Sequence, residues 1–309
     1  MSDAPVHPQS HITFGERFLD TLATGVFRLL AWLPLAWLQT LGAGLGWMLW
    51  WFGTSNRRIT EINLGLCFPE LSDAQRLALA RRSVIESAKT LVEVIAIWLS
   101  PLKKNQAWIK KVTGQAYLDQ ALEKKQGVII LAPHLGNWEL VGMFGAMQGP
   151  FTAMYAPAKI YTMRKIMFAG RQAYGCKLAP TNTQGVRILL KALKQGESIG
   201  ILPDQVPDPE SGLFAPFFGQ PAFTMTLIAT LAARTNAAVI CCYAKRLQDE
   251  AGFEICLRPA AADIASENLA DAVVALNRSV EDCVRDCVEQ YQWEYKRFKR
   301  RPPGLTKWY

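Results

Sequence analysis

Charge is absent from Leu29 to Asn56, a run of 28 residues bounded by Arg28 on one side and by Arg57 and Arg58 on the other. About 20 apolar residues suffice for a helix to cross a hydrocarbon core. The pattern therefore predicts an N-terminal membrane-anchoring helix within residues 21–58, after a polar leader over 1–20. Five tryptophans in the run, Trp32, Trp37, Trp47, Trp50 and Trp51, suit the headgroup zone. Pro34 and the glycines Gly42, Gly44 and Gly46 argue against one straight span, which leaves a kinked or shallowly embedded helix as the alternative. The run starts too late and is too long for a cleaved signal peptide. Arg57 and Arg58 put the chain beyond them on the cytoplasmic side of a membrane.

Beyond the run, over 59–309, two periodicities alternate. Leu77, Val84, Ala88, Leu91, Val92 and Ile95 recur at helical spacing after a Ser72-Asp73 cap and predict a helix over 73–98. Short apolar runs predict strands at 128–132, 151–155, 198–202, 238–244 and 253–257. Helical stretches separate or follow them at 137–147, 162–174, 184–194, 224–234 and from 269 to about 290. Strands alternating with helices specify an α/β domain, a mixed and largely parallel sheet flanked by helices. Such folds place ligands at the carboxyl ends of their strands.

The apolar run Val128–Ala132 breaks at Pro133 into a polar cluster, His134-Leu135-Gly136-Asn137-Trp138-Glu139. His134 is the only histidine after residue 11, and an unperturbed imidazole titrates near neutral pH, so any acid–base chemistry points to it. On one continuous helix the side chains of His134 and Glu139 would diverge by about 140°. They meet only if His134 precedes the helix and Glu139 lies in its first turn, an arrangement that Pro133 and a capping Asn137 permit. Glu139 is then expected to orient the imidazole.

Composition narrows the partners. Half of the 309 residues are hydrophobic, and the net charge of +8 suits an anionic surface, substrate or carrier. The basic residues are not interleaved with a nucleic-acid reader motif, so no nucleic-acid partner is expected. Seven cysteines without a CxxC pair, and so few histidines, give no metal-ligand spacing; they read as reduced, buried thiols. Gly196-Glu197-Ser198-Ile199-Gly200 fits G-x-S-x-G, but a helix precedes it and a strand comes after, the reverse of a nucleophile elbow.

The segment Ala132–Glu139 resembles the H-x4-E signature of the lipid A biosynthesis (late, secondary) acyltransferases of the lauroyl/myristoyl type. Further segments agree in order: Asn63-Leu64-Gly65-Leu66-Cys67-Phe68-Pro69-Glu70, Arg171 to Gly175, Pro203-Asp204-Gln205, Phe217 to Pro221 with Thr224, and Glu289 to Pro302. Tyr295 departs from the histidine found in many relatives, which leaves His134 without a competitor as base. The resemblance implies an acyltransferase-like fold and a membrane-bound enzyme of the bacterial inner membrane, with its catalytic domain on the cytoplasmic face. It implies transfer from an acyl carrier protein thioester to a hydroxyl of a Kdo-bearing, phosphorylated disaccharide lipid, without cofactor or metal. A related acyltransferase acting on another phospholipid or glycolipid is the alternative, and a non-catalytic basic membrane adaptor is a third.

On this reading His134 is the general base and Glu139 holds its tautomer. Amides at the start of the next helix face the developing oxyanion, and no acyl-enzyme forms. Arg171, Asp204, Asn137 and Gln205 are the expected substrate-binding residues, with Asp204 holding either Arg171 or a sugar hydroxyl. The terminal basic residues Lys296, Arg297, Lys299, Arg300, Arg301 and Lys307 are expected on a solvated face that would touch lipid phosphates or an acidic carrier.

Overall fold

A computed structural model describes residues 14–156, 160–248 and 251–309. The expected leader lies outside them as far as residue 13, and from Phe14 the chain is helical. The elements run α1 (Phe14–Trp32), α2 (Leu35–Trp51), α3 (Ser55–Cys67), α4 (Asp73–Leu99), α5 (Leu102–Gln106), β1 (Ile109–Thr113), α6 (Gln115–Glu123) and β2 (Val128–Leu131). They continue with α7 (Trp138–Met147), β3 (Phe151–Tyr155), α8 (Tyr161–Ala173), β4 (Lys177–Pro180), α9 (Thr183–Lys194) and β5 (Ser198–Ile201). A hairpin of β6 (Gly212–Phe217) and β7 (Gln220–Met225), then α10 (Leu227–Thr235), β8 (Ala238–Arg246), β9 (Phe253–Pro259) and α11 (Leu269–Val284) complete the order.

The N-terminal expectation needs correcting. The uncharged run is divided at Pro34, which has no N–H to continue a helix and stands as the N-cap of α2. Among the described residues no helix is long and apolar enough to cross a membrane. Part of the run's hydrophobicity belongs to the protein's own packing. Leu38, Gly42, Gly46 and Trp50 repeat every four residues and are buried, and a Cβ added at Gly42 or Gly46 would lie 2.5 Å from the Cα of Lys89 or Ile85 on α4. The glycines let α2 and α4 approach backbone to backbone. The opposite face of α2 stays exposed, with Trp37, Leu41, Met48 and Trp51.

Seven strands form one sheet in the order β1-β9-β8-β2-β5-β3-β4. β8, β2, β5, β3 and β4 are parallel to one another, while β9 pairs antiparallel to β8 and carries β1 alongside it. The mixed, largely parallel sheet flanked by helices agrees with the sequence reading. Its central strands are buried on both faces, as the unbroken Val-Ile-Ile-Leu of β2 requires. The two faces feed two core clusters, and α2 contributes Trp50 to one and Leu35 and Leu38 to the other.

The remaining differences have local causes. Gln220–Met225 pairs with Gly212–Phe217, so α10 begins at Leu227 instead of residue 224. α11 ends at Val284 rather than near 290, because Cys287 leaves helical geometry (φ −151°, ψ 68°) and the chain departs through a single 3-10 turn. Ser198 of the G-x-S-x-G match opens β5 at the amino edge of the sheet and is buried.

Candidate active site

β2 and β5 are neighbours in parallel register, with Leu131 opposite Ile201. Each chain then runs three residues further, to His134 and to Asp204. Matched register therefore delivers both side chains to the same height above the sheet. His134 Nδ1 lies 2.7 Å from Asp204 Oδ1, and the His134 backbone N–H donates to Asp204 Oδ2 at 2.8 Å. The carboxylate grips ring and backbone of one residue. Burial acts to raise the Asp204 carboxyl, but the imidazole and its hydrogen bonds hold it below the usual carboxylate range.

An ionised Asp204 makes Nδ1 the protonated nitrogen and leaves the Nε2 lone pair outward. There the side-chain amide of Gln205 approaches to 3.2 Å, itself donating to Gln292 Oε1 at 3.3 Å. The Trp138 ring packs edge-on to the imidazole at 5.0 Å between centroids. Tyr295 takes a position behind the Pro203-Asp204-Gln205 turn, where its hydroxyl accepts from the Val206 N–H at 2.9 Å.

The turn after His134 depends on glycine. Gly136 has φ +59°, and a Cβ there would lie 1.9 Å from the Ala244 carbonyl oxygen. The Asn137 N–H donates to that same carbonyl, and the Gly136 N–H donates to the Gln290 carbonyl. Asn137 then caps α7, its Oδ1 accepting from the Leu140 N–H, while its amide donates to Glu93. Where substrate binding was expected of Asn137, its side chain is instead buried and bonded within the fold.

Glu139 also departs from expectation. It lies in the first turn of α7, as foreseen, but turns away from His134. Its carboxylate takes a forked pair from Arg171, Nε to Oε2 at 3.0 Å and Nη2 to Oε1 at 2.5 Å, plus the Trp98 indole N–H at 2.8 Å. Burial would raise this carboxyl, and the guanidinium beside it overcomes that and holds it low. The expected partners are thus exchanged: Asp204 orients His134, and Arg171 pairs with Glu139 rather than with Asp204. Both side chains are largely buried, at 14% and 2% exposure. The pair ties α7 to α8, and Trp98 adds α4.

Gln292, Trp98 and Trp138 escaped the sequence reading. Trp98 is 41 residues from Glu139 and no local pattern joins them, whereas Trp138 next to a helix cap facing His134 was within reach of it. Near the imidazole, Glu294 accepts from Ser87 Oγ at 2.8 Å, and burial pushes its carboxyl up. Of the terminal basic residues, Arg297 is buried and donates to the Phe223 carbonyl and to Thr224 Oγ1, both at 2.7 Å. It therefore leaves the surface cluster, because its donors complete the hairpin. All seven cysteines are free and buried. Burial pushes the Cys176 thiol, behind Glu139 and Arg171, up to about 11.

His134 and Asp204 form a proton-accepting pair at a strand end, with a side-chain amide beside the basic nitrogen and no metal cluster among the described residues. A family model described as bacterial lipid A biosynthesis acyltransferase matches residues 7–300. The lipid A biosynthesis lauroyltransferase of Escherichia coli (strain K12) is 27% identical over 309 residues, covering 100% of this chain and 98% of that protein. The palmitoleoyltransferase of the same strain is 27% identical over 305 residues, 98% of this chain and 96% of its own length. Its myristoyltransferase is 27% identical over 253 residues, 82% of this chain and 78% of that one.

Proposed function

The chain belongs to the bacterial lipid A biosynthesis acyltransferase family, and from that premise we propose that it moves a fatty acyl chain from an acyl carrier protein thioester to a hydroxyl of a Kdo-bearing, phosphorylated disaccharide lipid A precursor. The observation that carries the mechanism is the His134–Asp204 pair. With Nδ1–H held by the carboxylate, Nε2 takes the proton of the attacking hydroxyl as its oxygen bonds to the thioester carbonyl. Asp204 stabilises the imidazolium that forms. The tetrahedral intermediate collapses, the carbon–sulfur bond breaks, and the imidazolium returns the proton to the departing thiolate.

Gln205, beside Nε2, is positioned to donate to the carbonyl oxygen as it gains charge. Transfer is direct. The buried cysteines, with thiols such as Cys176 pushed upward, are poor nucleophiles and support a path without an acyl-enzyme. Glu139 and Arg171 serve as a buried brace behind the site.

Attachment to the cytoplasmic face of the inner membrane is part of this reading. Its support is the outward face of α1 and α2, where Trp32, Trp37, Trp51 and Phe52 are 65–85% exposed beside the exposed Arg28 and Arg58. Aromatic rings of this kind seat in the headgroup layer of a membrane without crossing it. Exposed Lys296, Lys299 and Lys307 suit an acidic carrier protein. Mass spectrometry of lipid A from a strain lacking the protein tests the reading: one secondary acyl chain should be missing. An unchanged lipid A would overturn it.

A further inference from the structure

Behind the His134 turn the chain encloses a separate space. A cavity of about 750 Å³ opens between α2, α4 and the carboxyl end of β8. That volume falls within the usual range for small-molecule sites, roughly 300–1,000 Å³. Its floor is rigid. Arg246, 3% exposed, donates from Nε and Nη2 to the two oxygens of Glu93 at 2.8 and 2.6 Å and also pairs with Glu86. Thr90 and Gln39 bind into the same network.

Above that floor the lining brings a carboxylate, a hydroxyl and cations, Glu289, Thr40, Lys89 and Arg82, beside the amides of Gln39 and Gln290, which are bonded to Glu93 and to the Arg246 backbone. Sugar hydroxyls both donate and accept, and such a mixed lining matches them better than an apolar chain. Lys89 gives one of its three donors to Glu86 at 2.6 Å and keeps the others free for a ligand. Arg82 stands exposed at the rim.

Position strengthens the match. Gln290 lines the cavity, and its carbonyl accepts from the Gly136 N–H at 3.0 Å. Gly136 is two residues from His134, and two residues of chain reach at most about 7 Å. α2 supplies the other link. Ala36, Thr40 and Ala43 face the cavity, while Trp37, Leu41 and Met48 on the neighbouring face are exposed and apolar. One helix thus borders a cavity that holds charged and polar groups and, beside it, an apolar surface, the two environments that an amphiphile requires of its site.

We propose that this cavity receives the saccharide headgroup of the acceptor lipid, with Arg82 and Lys89 meeting an anionic substituent on the sugar. The assignment rests on the acyl-transfer reading and adds to it the residues that select the acceptor. None of them belongs to the His134–Asp204 machinery.

The test is steady-state kinetics on the full chain, with acyl carrier protein thioester and phosphorylated disaccharide lipid. Arg82→Glu and, separately, Thr40→Trp, which fills the chamber, should each raise the acceptor KM about tenfold or more, on the scale of one charge-assisted contact. The donor KM and the melting temperature should hold. Removing the phosphate from the acceptor should abolish the Arg82→Glu effect and leave that of Thr40→Trp. An unchanged acceptor KM in both variants overturns the assignment. So does a rise in donor KM alone, which would give the chamber to the carrier's arm. Calorimetry with a soluble phosphorylated disaccharide reads the cavity without turnover. Binding that Thr40→Trp abolishes supports the site even if the proposed lipid proves not to be the acceptor, and no binding to the unaltered protein overturns it.

Discussion

Replacing Glu139 by leucine separates bracing from chemistry. The carboxylate is 2% exposed and neutralises Arg171, itself 14% exposed, while accepting from Trp98. Its removal leaves a guanidinium with no counter-charge in a desolvated pocket, and breaking such a pair from one side costs about 3–5 kcal/mol. Unfolding entropy of about 2.1 cal/mol/K per residue, over 309 residues, gives about 0.65 kcal/mol/K. The loss therefore lowers Tm by roughly 5–8 °C. Adding Arg171→Met removes the stranded charge, so the double variant should recover much of the loss. Because the native Glu139 carboxyl is held low, its contribution is complete above the ordinary carboxylate value and disappears as pH falls through the lower native one. The Tm gap to Glu139→Gln should accordingly stay level from pH 8 to 5 and close below about pH 4. Differential scanning calorimetry beside an acyl-transfer assay decides it. A Glu139→Leu protein that melts like the unaltered one yet transfers nothing would refute the brace and return Glu139 to the chemistry.

Four other outcomes are expected. His134→Ala should cut kcat by about 10²- to 10⁴-fold and also lower Tm, since the ring is largely buried and its loss leaves the buried Asp204 carboxylate without its ring partner; more than about a tenth of the activity remaining would contradict the role of base. Asp204→Asn should lose a comparable factor, because a neutral amide neither selects the Nδ1–H tautomer nor stabilises the imidazolium; single-turnover rates with saturating donor check it. Trp37→Glu combined with Trp51→Glu should weaken co-sedimentation with anionic vesicles while Tm holds, as both rings are exposed, whereas Gly46→Leu should lower Tm by forcing α2 off α4.

Much of this protein is written locally. Val128–Leu131, Phe151–Tyr155 and Ser198–Ile201 are mainly apolar runs bounded by turn residues, Phe253–Pro259 carries Phe253, Ile255 and Leu257 in alternation, and each is a strand. Edge strands carry no such mark: Ile109-Lys110-Lys111-Val112-Thr113 faces solvent along most of its length and reads as loop. The uncharged run over 29–56 misleads for a related reason. Hydropathy records that a residue avoids water, not whether it does so against lipid or against α4, and the glycines that permit the second choice look alike in both settings.

His134 and Asp204 could each be picked from the chain as polar residues beyond apolar strands, because a strand's end is legible in sequence. Their union was not legible, since it depends on β2 and β5 lying side by side in register across 70 residues. Likewise Glu139 could be placed in the first turn of α7 from its cap alone. Which way it points is set by the rotation of α7 against α4 and α8, which bring Trp98 and Arg171 to it from opposite directions along the chain. Sequence determines which residues end elements and which are buried, because those are properties of short segments. The choice of a carboxylate's partner belongs to the tertiary structure, because the cost of burying a charge depends on every element that closes over it.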